Sequence, residues 1–174
     1  SLDSIHLVGR YSDAEFDKVS ELEDLGDHYE DQLGSFLMKL NGQDLTERQE
    51  RESTIYLHTL SDLERLSDHA KNIASSAKEI HDKQVSFSEE AHHEMSVITS
   101  AVREILDITM KAFSGEDLQL AMKVEPLEEV IDDITDEMKL RHTERLQQGI
   151  CSINQGFIFN DLLTDYERIS DHYD

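Results

Sequence analysis

The chain has 174 residues, with 39 Asp and Glu against 16 Lys and Arg, and a net charge of −23. Such a surface repels phosphate backbones and anionic lipid leaflets, which argues against direct nucleic-acid binding and electrostatic membrane docking, and it attracts cations or a basic partner. One Pro, 7 Gly and no Trp over this length point to long helices rather than short strands with many turns. No apolar run reaches the roughly 18 residues of a membrane span. The single cysteine, Cys151, makes no internal disulfide and no zinc pattern, which fits a cytoplasmic setting. It is expected on a helix near a core face. The chain opens at Ser1 without Met and ends at Asp174 in mid-pattern, so a fragment of a longer polypeptide is expected.

Five helices are predicted. The first covers about Asp13 to Leu40, with Phe16, Val19, Leu22, Leu25, Tyr29, Leu33, Phe36 and Leu37 on one side, and stops at the turn dipeptide Asn41-Gly42. The second covers about Thr46 to Asp82. Its seam is Leu63, Leu66, Ala70, Ile73, Ala77 and Ile80, and Thr46 with Gln49 makes a capping box. The third runs from about Ser88 to Phe113 through Ala91, Met95, Ile98, Val102, Ile105 and Thr109. The fourth spans about Asp117 to Gln148, with Pro126 either kinking it or marking a second start. The fifth runs from about Ser152 to the chain end through Phe157, Leu162, Tyr166, Ile169 and Tyr173. Short connections between long amphipathic helices imply an all-α antiparallel bundle.

The chain repeats itself. Leu60-Ser-Asp-Leu-Glu-Arg-Leu-Ser-Asp-His69 matches Leu163-Thr-Asp-Tyr-Glu-Arg-Ile-Ser-Asp-His172 at 7 of 10 positions, offset by 103. Upstream, the stretch from Lys18 to Asp27 aligns with Lys123 to Asp132 at an offset of 105. The first and second helices thus correspond to the fourth and fifth, and the third has no counterpart. The expected architecture is a three-helix unit over 1–115 and a second unit over 116–174 that lacks its last helix.

What repeats is Glu-x-x-x-Asp: Glu23/Asp27, Glu64/Asp68, Glu128/Asp132 and Glu167/Asp171. A four-residue step sets both carboxylates on one helix face, where like charges repel by a few tenths of a kcal/mol. A bound cation would explain keeping that arrangement in four helices. At about 100° per residue, Glu64 and Asp68 lie roughly opposite their apolar seam, and Glu23/Asp27 and Glu128/Asp132 lie off the side of theirs. Two neighbouring helices could therefore present four carboxylates on an outer face, one such site per unit. Such oxygen ligands suit Fe³⁺, Mn²⁺, Mg²⁺ or Ca²⁺. His69 and His172 follow the motif aspartates side-on, as exposed polar residues or peripheral ligands.

Glu64-Arg-Leu-Ser-Asp68-His-Ala-Lys-Asn72-Ile-Ala and Glu167-Arg-Ile-Ser-Asp171-His resemble the signature of the PhoU family, and Glu23/Asp27 and Glu128/Asp132 fall where its partner helices carry acidic pairs. The resemblance implies tandem three-helix units with multinuclear clusters of iron, or of other divalent metals, on the bundle surface. It also implies a non-catalytic role in regulating phosphate uptake. Members occur alone or as cytoplasmic tails of bacterial sodium/phosphate cotransporters, and the wording from Tyr56 to Arg65 looks more like the tail. The implied partner is a transmembrane phosphate transporter portion, on the same or another chain, with this domain at the cytoplasmic face of the membrane. A homo-oligomer is a further possible assembly. The missing sixth helix and Pro126 depart from the family's pattern.

Two other functions compete. Glu89-x-x-His92 and Glu90-x-x-His93 supply the element of carboxylate-bridged di-iron enzymes, but as overlapping copies at one helix start, where acids are favoured by the helix dipole. A purely structural acidic bundle binding a basic partner is the other.

Overall fold

A computed structural model describes residues 2–115 and 117–171, and His172 and Tyr173 lie outside them. Among the described residues the chain forms helices and no strand. They are α1 (Leu2–Gly9), α2 (Asp13–Asn41), α3 (Glu47–Asp82), α4 (Glu89–Gly115), α5 (Leu118–Ala121), α6 (Val124–Gln147) and α7 (Ile153–Asp171). The all-α bundle is as expected. None of the described helices is long and apolar enough to cross a membrane.

Local chemistry places the helix ends. The Thr46 side chain accepts from the Gln49 amide while Gln49 Oε1 accepts from the Thr46 amide, a complete capping box. α6 ends in a Schellman turn: Ile150 N–H bonds to Arg145 O and Gly149 N–H to Leu146 O, with Gly149 at φ 70, a left-handed position that glycine takes at no steric cost. α3 ends the same way, Val85 to Ile80 and Gln84 to His81, but with Gln84 at φ 51. The expected single helix over 117–148 is two pieces, the one-turn α5 and then α6. Pro126 sits in the first turn of α6, where a missing N–H breaks no intrahelical bond.

The helices group differently from the three-plus-two expectation. α1 packs on α2 and α3, α4 packs on α6 and α7, and α3 against α7 joins the two groups. A division at residue 115 would cut α4 from the helices it packs on. α1, which was not predicted, spans 8 residues where α4 spans 27, so the short unit is the first. The main core is Ile98, Val102 and Ile105 of α4 with Ile131, Phe159, Leu162, Leu163, Tyr166 and Ile169 of α6 and α7.

This asymmetry explains where the apolar stripes fail. Tyr56 is 54% exposed while its repeat partner Phe159 is 1% exposed, and Leu33 is 45% exposed against 2% for Met138. Leu22, Leu25, Tyr29, Phe36 and Leu63, expected in the core, are exposed too, whereas Leu66, Ala70, Ile73 and Ala77 are buried. α4 covers the α6/α7 pair along its length. α1 covers only the part of α2/α3 around Val19, Ala74 and Ala77. Beyond it, Leu33, Phe36, Leu40, Tyr56 and Leu60 line an open cleft of about 420 Å³. Phe157 of α7 is likewise exposed rather than buried.

Candidate metal centre

α2 and α3 run antiparallel, since cross-helix partners rise in number on one as they fall on the other: Glu23 meets Lys71, and Asp27 meets Asp68. The helices pass closely at Gly26, where a Cβ would make an ordinary contact with the Ser67 hydroxyl, 3.4 Å away. That contact lies one residue from both Asp27 and Asp68.

One carboxylate oxygen each of Glu23, Asp27 and Asp68 lies within 4.8 Å of the others, and Glu128, Asp132 and Asp171 form a second trio by the same measure. These are repeat-related positions. An ion with metal–oxygen bonds of about 2.0–2.6 Å bridges oxygens up to about twice that distance apart. Each trio is therefore the right size to share one hard cation.

The structure brings together six of the eight predicted carboxylates as two threes. Glu64 and Glu167 stand beside the trios. Burial raises the Glu64 carboxyl above the usual range, helped by the negative fields of Asp68, Glu30 and Asp27. Glu167 accepts from Lys139 Nζ at 2.7 Å. Glu23, expected on an outer face, is buried and accepts from Lys71 Nζ at 2.5 Å.

Two observations test whether the trios fit a cation. Asp132 Oδ1 is buried without a hydrogen-bond partner among the described residues, a costly state for a carboxylate oxygen. The Asp132 carboxyl is also pushed up, first by burial and then by Asp171, Glu167 and Asp136. A cation would relieve both, and the all-oxygen donor set suits a hard ion. The residues therefore fit Fe³⁺, Mn²⁺, Mg²⁺ or Ca²⁺.

His69 and the cysteine are placed differently from expectation. His69 is no solvated residue: its Nδ1 lies 2.9 Å from Asp165 Oδ1, and Asn72 Nδ2 reaches the same oxygen at 3.4 Å. Asp165 is buried, so α3 grips α7 beside the first trio. No local spacing signals this pairing, since Asp165 is 96 residues from His69. Cys151 lies in the bend before α7, not on a helix, with Sγ 3.9 Å from His142 Nε2. His92 and His93 are exposed. The inward-facing di-iron arrangement is thus absent from the described part of α4.

Fold and trios define a class: an acidic all-α bundle with an internal repeat and a carboxylate trio on each of two antiparallel helix pairs. A family model described as PhoU domain matches residues 2–77 and 96–173, and the chain belongs to that family. The second match takes in much of α4 with α6 and α7, the same grouping as the packing. The chain is 27% identical over 112 residues, 64% of its length, to the phosphate-specific transport system accessory protein PhoU homolog 1 of Thermotoga maritima. It spans 47% of that relative's length. The crystal structure of PhoU from Pseudomonas aeruginosa superposes with TM-score 0.89 at 19% identity, over 98% of this chain and 81% of that one. At that identity the likeness is one of fold.

Proposed function

We propose that this chain is a regulatory, non-catalytic module of phosphate uptake that binds hard metal ions at its two carboxylate trios, iron first and other divalent ions by the same chemistry. The observation that carries the metal reading is the pair of trios at repeat-related positions, each within 4.8 Å, in a duplication whose apolar stripes differ in burial between the two copies. The phosphate role rests on membership of the PhoU family and on the accessory-protein relative. In this reading the partner is a transmembrane phosphate transporter portion, in the same polypeptide or another, and the acidic bundle sits at the cytoplasmic face of the membrane. Glu23, Asp27 and Asp68 would hold one ion and Glu128, Asp132 and Asp171 another, with Glu64 and Glu167 adjacent. A bound ion would neutralise charge that otherwise pushes paired helices apart, which makes helix-pair geometry responsive to metal.

An ion that binds only the folded state stabilises it by mass action, by about 2.7 kcal/mol at a hundredfold excess over Kd, and so raises the melting temperature. Chelator-stripped wild type should therefore melt higher in Mn²⁺ than without it, and Asp68→Asn/Asp171→Asn should lose that shift. An equal shift in both proteins would place any bound ion elsewhere. Uptake of labelled phosphate by cells expressing either protein tests the regulatory part.

A further inference from the structure

Glu23 is 7% exposed, and a carboxylate so buried needs a partner to be tolerated. Its partner is Lys71, whose Nζ donates to Glu23 Oε2. Lys71 stands three residues beyond Asp68 on α3, at the edge of the first trio. The Lys71 side chain is 41% exposed while that of Glu23 is 8% exposed. The lysine can swing into water, and the glutamate cannot. Glu23 thus faces two alternative cations, an ammonium on a flexible stem and an ion entering the trio.

We propose that Lys71 is a tethered counter-cation of the first trio: it neutralises Glu23 in the metal-free protein and must leave that oxygen for an ion to take it. This rests on the reading of the trios as metal sites. The lysine does two things at once. It keeps the empty α2/α3 pair folded, and it weakens the site, so that loading depends on ion supply. In the second unit the position 103 residues on from Lys71 is Asp174, an acid rather than a lysine. Lys71 therefore acts on the first site alone.

Calorimetric titration of Mn²⁺ into Asp132→Asn, which disables the second trio, isolates the first. In that background Lys71→Met should tighten Mn²⁺ roughly five- to tenfold, the scale of a partly exposed charge-assisted pair. Lys71→Arg, which keeps the charge, should bind no tighter than the parent. Lys71→Met should also melt lower without metal and gain more from it. If that variant folds poorly, Lys71→Gln keeps a neutral donor and carries the same expectation. Equal or weaker binding in Lys71→Met, with binding abolished by Asp68→Asn, overturns the counter-cation while leaving the metal site intact. No binding in any variant, nor in wild type, removes the metal reading and this proposal with it.

Discussion

Asp132 is the residue whose titration most directly reports the second trio. Burial, then Asp171, Glu167 and Asp136, raise its carboxyl above the ordinary range. The folded protein therefore holds this proton at pH values where the unfolded chain has released it. That contribution to stability is present below the ordinary carboxylate range and is lost as pH rises through the raised value. Metal-free Asp132→Asn, neutral throughout, should melt higher than wild type near pH 7, by roughly 2 °C after solvent screening. The gap should close towards pH 4, as thermal melts at the two pH values will show. The carboxylate pairs were readable from sequence because a four-residue step is a helix-face rule. Which carboxylates face each other across helices was not. Cross-helix register decides that Glu23 is buried against Lys71 and that Glu64 stands outside its trio, and no local spacing encodes it. The same holds for His69, whose partner Asp165 is 96 residues away.

At the scale of elements, the helices with long periodic stripes were readable, and so was the Thr46 capping box. α1 was missed because 8 residues hold too few turns to show a period. The break between α5 and α6 was half-readable, since Pro126 fits either a kink or a start. Two contacts carry tests. Gln84 ends α3 at φ 51, a conformation costing a non-glycine residue roughly 1–2 kcal/mol. Gln84→Gly, less its greater chain entropy, should gain about 0.5–1 kcal/mol in urea denaturation. α4 is tied to α6 by Arg145, which bonds Glu94 through both guanidinium nitrogens at 3.0 and 2.7 Å. Both side chains are at most 10% exposed. Glu94→Ala leaves a buried charge unpaired and should cost about 3–5 kcal/mol, whereas Glu94→Leu/Arg145→Met should cost much less. Equal losses in the single and double variants would contradict that account.

For the whole molecule, the repeat was readable as matched motifs, but the grouping of helices was not. The sequence alignment pairs α2 with α6 and α3 with α7, and the expected units place α4 in the first group. Packing corrects this: α4 lies on α6 and α7. The consequence is measurable at repeat-related aromatic positions. Tyr56→Ser, at an exposed site, should change unfolding free energy by no more than about 1 kcal/mol. Phe159→Ala, at the matching buried site, should cost about 3–5 kcal/mol. Similar costs would mean that the α2/α3 face is covered in solution. The central claim, that duplication has preserved two metal sites, is tested most directly by equilibrium dialysis against Mn²⁺. Wild type, Asp68→Asn, Asp171→Asn and the double variant would be compared by bound ion per chain. Each single substitution is expected to remove one class of bound ion, and the double substitution both. A double variant that binds as much Mn²⁺ as wild type would contradict the account and leave the trios as a solvated acidic face.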